Sequence, residues 1–355
     1  MAWSVWSVDT VTGDDRQRLP LPDSFSWSRV LNSGGSGSAV FPLKASIFSQ
    51  LNMQALLRER SRTLVLDWDG VVVYAGGIDT ADYDQPSAML TVEHSDVWSI
   101  LYKRLAIDHR EPIAKVIDQV FVSKSSGTVA KKFVELAMQG LPGMNIELPI
   151  TLPADVSGSI SRPYYGYHFQ WLRDVLQNLM KEDGGTDIDF RPRWVDNKLD
   201  WQMRTGSLAS GSFEWHSGVE KSDITGLSVK TDAVKVATAC YAIGEGSGVD
   251  KLARSVRNFT PTYPFTDRLT TLPDESSEDA LSRFALGELN TFKTPTRQWK
   301  FSVVASGTHK VSDLLLGGTA KIFVHNDPWL TAPSYSNRII GFSGDLSENI
   351  NLQFQ

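Results

Sequence analysis

The stretch "SFSWSRVLNSGGSGSAVFPLKA", Ser24 to Ala45, sets apolar alternation on both sides of a glycine- and serine-rich run. Phe25, Trp27, Arg29 and Leu31 share one side of an extended chain before the run, and Ala39, Phe41 and Leu43 do so after it. A period of two is the pattern of half-buried strands. An interdomain linker would join complete folding units, whereas single strands of this length are not stable alone. Asn32 to Gly37 therefore reads as a hairpin loop, and the N-terminal region as the start of a sheet.

The next hairpin carries a stronger signal. "TLVLDWDGVVVYAGG" places Asp69-Gly70 between Leu64 to Trp68 and Val71 to Tyr74. Asp-Gly suits a type I′ turn, because both central residues need positive φ. The period then changes. "SDVWSILYKRL" predicts a helix capped by Ser95, and "TVAKKFVELAMQGLP" a second, capped by Thr128 and stopped by Gly140 and Pro142. "YHFQWLRDVLQNLMKEDGG" predicts a third, with Phe169, Leu172, Leu176 and Leu179 in line and Gly184 at its end. "IDFRPRWVDNKLDWQMRTG" follows as a hairpin turning at Asp196 and Asn197, with Asp187 and Asp189 expected to face solvent opposite Ile188 and Phe190.

From Phe213 onward short alternating strands return, separated by turn residues at the spacing of a small barrel or sandwich. One helix interrupts them, from the capping-box pair Ser276 and Asp279, with Leu281, Phe284, Ala285 and Leu289 as its buried face. No repeat of fixed period is present, which argues against propellers and solenoids.

Composition limits the chemistry. The 355 residues are 41% hydrophobic and carry 35 basic against 41 acidic side chains, so no basic stripe is available to grip phosphate. Neither a signal peptide nor an apolar run long enough to span a membrane occurs, so no stable membrane insertion is expected. The single Cys240, in "VATACYAIG", reads as a small buried side chain. "GEGSGV", Gly244 to Val249, is a partial dinucleotide fingerprint, but Val249 replaces its last glycine and no βαβ alternation surrounds it. Gly244 and Gly246 are thus read as a turn. The six histidines show no metal-ligand spacing, and "DTADYDQPS", with Asp79, Asp82 and Asp84, lacks the rest of a calcium loop. No nucleophile motif is present; eleven tryptophans raise the reading of sugar stacking, but Trp27, Trp68, Trp194 and Trp201 fall inside predicted strands, where core or interface burial is their commoner use.

Taken in order, "WSRVLNSGGSGSAVFPL", "LVLDWDGVVVYAGGI", "DFRPRWVDNKLDWQMRTG", "VKVATACYAIGEGSG", "YPFTDRLTTLPDESSEDALSRFALGELNTFKTP" and "GGTAKIFVHNDPWL" with "NRIIGFSGDLSENINLQF" resemble the minor tail proteins of actinobacteriophages. More broadly the chain is similar to the tail hub, or baseplate hub, of long-tailed phages. The resemblance covers nearly the whole chain and lies in the order of segments, since no single motif is diagnostic. The family commonly shows Gly-Asp before its penultimate strand pair, where this chain has Gly317-Gly318.

The resemblance implies a mainly β fold with α+β inserts, built on two small β-barrels. It implies a homotrimer whose six barrels form a pseudo-sixfold ring, joining a sixfold tube to a threefold tip. Its partners would be the distal tail protein, the tape measure protein and other tip proteins, with phage DNA passing through unbound. The protein would be made in the host cytoplasm and reside at the tail tip of the virion. No catalytic residue, cofactor or metal comes with the resemblance, and no enzyme activity is expected. The expected units are a first barrel over 1–93, a helical and α+β insert over 94–204, strands completing the first barrel over 205–233, and a second barrel over 234–355 with a helix at about 276–291. Two other readings stay open. A receptor-binding tail module would need exposed aromatics in a concave patch. A tail-associated cell-envelope hydrolase would need a carboxylate pair or metal set that the sequence does not signal.

Overall fold

The computed structural model describes residues 3–110, 118–139, 148–209, 211–260 and 262–355. Strands β1 (Trp3–Asp9), β2 (Gln17–Leu19), β3 (Ser24–Val30) and β4 (Ser36–Pro42) open the chain. Two short helices, α1 (Ser46–Ser49) and α2 (Met53–Leu56), lead into β5 (Arg62–Trp68), β6 (Val71–Asp84) and β7 (Met89–Ser95). β3 and β4 pair antiparallel, so the glycine-rich run is the hairpin loop its flanks predict. Gly37 is required for close approach: a Cβ there would sit 1.9 Å from the Ser26 carbonyl oxygen and 2.6 Å from the His94 ring.

The expected helix at Ser95 shrinks to one turn, α3 (Trp98–Leu101). Ser95 belongs to β7, and Asp96 divides its carboxylate between Gly35 N–H (2.6 Å) and Trp98 N–H (3.1 Å), which ties the helix start to the first hairpin. The middle region continues with β8 (Gln119–Lys124), α4 (Ser126–Met138), β9 (Ile150–Thr151), β10 (Ile160–Tyr164), α5 (Leu172–Lys181) and the hairpin β11 (Asp187–Val195) and β12 (Lys198–Gly206). The cap of α4 is Ser125, whose hydroxyl accepts from Thr128 N–H; Thr128 itself lies inside the helix. Its expected stop, Gly140 and Pro142, lies outside the described residues. Phe169 precedes α5 in a left-handed conformation rather than joining its apolar stripe.

The C-terminal third contains β13 (Ser212–Ser217), β14 (Thr225–Asp232), β15 (Ala239–Ile243), β16 (Ala253–Arg257), β17 (Asp267–Thr271), α6 (Glu278–Phe292), β18 (Thr296–Val304), β19 (Thr319–Val324), β20 (Ser334–Gly344) and β21 (Asn349–Phe354). Ser277, one residue after the predicted cap, caps α6. Two expectations are corrected here. The strands between 205 and 233 do not complete the N-terminal unit, because β13 pairs with β19 and β14 with β18. "ATACYAIG", expected within the second barrel, does not join the other C-terminal strands either: β15 lies between β16 and β17 in a separate three-stranded sheet covered by α6. Arg254 and Arg268 on that covered side pair with Glu278 and Glu288 of the helix.

Thirteen strands form one branched sheet. Its path runs β14-β18-β21-β20-β3-β4-β7-β6-β5-β1-β2, with β19 and β13 branching from β20. The branch exists because β20 changes partner along one edge: Ser334–Arg338 pairs with β19, and Gly341–Gly344 pairs with β3. A register shift against β21 lies between the two segments, the usual signature of a bulge that redirects a strand. Hydrogen bonding closes neither half into a barrel among the described strands; the sheet ends at β2, β13 and β14.

The largest core draws on both halves of this sheet, from Trp3, Phe25 and Trp27 to Trp215, Phe342 and Phe354. Trp27 meets Phe342 edge to face at 6.0 Å, across the β3–β20 seam. Each such side chain stabilises the fold by roughly 1.5–3 kcal/mol through burial. A second core lies on the other side of β5, where Val65 and Val8 meet α4, α5 and the β11–β12 hairpin. β5 is therefore buried on both faces along its whole length, which accounts for the unbroken apolar run Leu64-Val65-Leu66.

Candidate functional site: a charged junction and an aromatic cleft

The turn residues singled out by sequence occupy three hairpins. Asp69 (φ 51°) and Gly70 (φ 85°) connect Trp68 to its partner Val71, and Asp196 (φ 49°) and Asn197 (φ 62°) connect Val195 to Lys198. Gly244 and Gly246 lie in the β15–β16 connection, which continues into a strand and so forms no helix-capped phosphate cradle. None of the six lines the cleft described below. Among the described residues, no three His, Cys, Asp or Glu side chains are grouped to hold a metal ion, and no helix is long and apolar enough to cross a membrane. Cys240 is buried, and burial pushes its thiol up to about 11.

Asp187 and Asp189 do not face solvent as expected. Asp189 is 3% exposed and accepts from Arg29 Nη2 at 2.8 Å and Arg204 Nη1 at 3.0 Å. Asp187 accepts from Asn32 Nδ2 at 2.9 Å and from Arg338 Nη1 at 3.1 Å. Burial works to raise the Asp187 carboxyl, but the hydrogen bonds from Arg338 and Asn32 outweigh it and hold the group below the usual carboxylate range. Asn32 also accepts from Ile188 N–H at 2.8 Å. These contacts fasten β11 to the β3–β4 loop and to β20 at the point where β20 changes partner. The readable signal was Arg29: an arginine in register with Phe25 and Trp27 on an inward face needs a buried acid.

A second feature is a cleft of about 440 Å³ between the middle region and the loop that precedes α6. One wall is the segment before α5, with Tyr165, His168, Phe169 and Trp171; the opposite wall includes Asp274 and Glu275. Three backbone anchors fix the aromatic segment: Gly166 N–H to Asp118 Oδ1, Ala106 N–H to the Gln170 carbonyl, and Leu172 N–H to the Arg104 carbonyl, each 2.9 Å. At the base, Arg162 pairs with Glu182, which also accepts from Arg283 Nη2 of α6 at 3.0 Å. Arg162 Nη2 donates to the Tyr164 hydroxyl at 2.7 Å, while Arg162 Nη1 is buried with no partner. Burial raises the Glu275 carboxyl above its ordinary value and pushes the Tyr164 hydroxyl up to about 12.

The surface also carries large apolar side chains in water. Phe259 and Phe265 are 90% and 86% exposed, and both flank the end of the small sheet where Asn258 N–H reaches the Thr238 carbonyl and Thr238 N–H reaches the Thr266 carbonyl. Val234 lies exposed two residues before Val236, whose carbonyl accepts from Thr266 Oγ1.

No family model and no curated protein matches the sequence. Solved structures do. A prophage MuSo2 43 kDa tail protein from Shewanella oneidensis superposes with a TM-score of 0.62 at 9% identity, over 99% of this chain and 98% of the other. A tail protein from Neisseria meningitidis gives 0.58 at 12% identity, over 100% and 96%. A prophage tail protein from Listeria monocytogenes gives 0.54 at 11% identity, over 99% and 94%. The chain has the fold of phage tail proteins. That fold runs through both halves of the branched sheet and through the inserts, since the superpositions cover essentially the full length.

Proposed function

We propose that this chain is a structural hub subunit of a phage tail, of the minor tail protein kind that its order of segments resembles. The observation that carries the reading is the branched sheet. Two strand sets, β1–β7 and the C-terminal six, share one core and are welded at β20, and phage tail proteins superpose on the chain over nearly their whole length, which supports the reading. Two comparable β units per subunit would give three subunits six comparable faces, the geometry needed where a threefold tip meets a sixfold tube. In this reading each set is a barrel-like unit, the two α+β regions decorate the ring, and the tail is long and non-contractile. The distal tail protein, the tape measure protein and tip proteins are the partners. Exposed Phe259 and Phe265 are suited to burial in such an assembly.

Light scattering and negative-stain imaging of the purified protein test this. The expected result is a trimeric ring. A chain that stays monomeric alone and after mixing with distal tail protein overturns the hub assignment.

A further inference from the structure

We infer that the aromatic cleft before α5 is a binding site for a saccharide that carries no negative charge. Sugar recognition needs an aromatic face against the apolar side of a pyranose, together with fixed polar groups that meet its hydroxyls. The cleft supplies both. Trp171 is 47% exposed at its wall, and Phe169 stands beside it on a left-handed backbone (φ 48°), a conformation a bulky residue holds only when its surroundings enforce it. The anchors to Asp118, Arg104 and Ala106 enforce it, so the aromatic wall is set before any ligand arrives. Such pre-organisation lowers the ordering cost of binding.

The base of the cleft is polar and fixed. Arg162 is 9% exposed, is fixed by Glu182 and Tyr164, and leaves Nη1 without an acceptor. Nη1 is shielded from solvent, so Arg162 serves to hold the base in place, and the polar groups within reach of sugar hydroxyls are the lining side chains Gln170 and Asp274. The charge of the lining selects the ligand class. Of the carboxylates that line the cleft, Asp174 pairs with Arg173 and Glu182 with Arg162 and Arg283, so the excess negative charge comes from Asp274 and Glu275, which disfavour phosphorylated or uronic glycans but not neutral and amino sugars. Carboxylates are also good acceptors for sugar hydroxyls and for an ammonium group. The inference concerns this cleft alone and is independent of subunit number, so its failure leaves the ring measurement untouched.

The test is calorimetric and NMR saturation-transfer titration of the intact protein with three probes: N-acetylglucosamine trimer, glucosamine trimer and a hyaluronan fragment. The expected result is binding of the first two with a Kd on the order of 1 mM, as single-site sugar contacts of this size give, and none of the third. Trp171→Ala should weaken both about tenfold or more, with an unchanged melting temperature as the folding control, and Trp171→Phe should restore most of the loss. Asp274→Asn should weaken the glucosamine trimer while sparing the acetylated one. No binding of either uncharged or amino trimer, equal binding by Trp171→Ala, or preference for hyaluronan would overturn the inference and leave the cleft to a peptide segment of another tail protein.

Discussion

His94 shows how far a single residue's chemistry is set by its neighbours. Its ring is buried against Phe25, with the Tyr74 hydroxyl 2.9 Å from Nδ1, and Gly37 on the facing strand leaves it room. Burial lowers its pKa to about 4 from an ordinary 6.5, although Asp79 pulls the other way. Between those values the unfolded chain binds a proton that the folded chain refuses, so stability is complete above about pH 6.5 and falls as pH drops toward 4, by up to roughly 3 kcal/mol. Denaturant melts across that window should show the loss, and His94→Gln should flatten it. The two glycine sites should separate just as clearly. Gly70 has open space where a Cβ would go, so Gly70→Ala costs only the strain of positive φ, about 1 kcal/mol, and a β-branched residue about 1–3. Gly37→Ala meets backbone and should cost several times more, measurable as a lower melting temperature. The Asp-Gly turn was legible because its cause is local. The partner of Arg29 was not, since Asp189 lies about 160 residues away and looks solvent-facing in its own strand.

At the scale of elements, the sequence showed most strands and the longer helices, and it missed what tertiary contacts decide. α3 has the periodicity of a longer helix, yet Ser95 belongs to a strand and Asp96 is committed to Gly35. β5 reads as an ordinary hairpin strand and is a wall between two cores. The partners of β13 and β14 were invisible because alternation gives a strand its faces, not its neighbours. The aromatic cleft combines residues separated by about a hundred positions, so only Phe169 and its neighbours were in view. A test at this scale is Asp189→Asn. Removing the shared charge leaves the buried Arg29 guanidinium uncompensated and takes one of the partners of half-buried Arg204, and the loss should be about 3 kcal/mol. Hydrogen exchange should rise first in the β11–β12 hairpin, which the junction fastens to β3.

Across the whole molecule, the proposal makes the exposed apolar residues interface residues. Phe259→Ser with Phe265→Ser should shift the protein toward monomer at fixed concentration without lowering the melting temperature of the monomer, since both rings are in water there. Trimer that survives this pair locates the contact elsewhere. If the proposed ring lets DNA pass unbound, as the net charge of -6 allows, duplex binding at physiological salt should be weak by anisotropy.

The partner change in β20 also sets a clock. Val30 finds its neighbour Gly341 only after roughly 300 further residues have been made, which at ribosomal speed is on the order of 15 to 60 seconds. Through that interval the β3 edge is open and Trp27 lacks Phe342. Until β20 and β21 are made, the open edge and the uncovered Trp27 expose the nascent chain to chaperones and proteases. Ribosome-bound chains stalled before Gly341 should be cut readily under limited proteolysis, and chains released past Phe354 should resist.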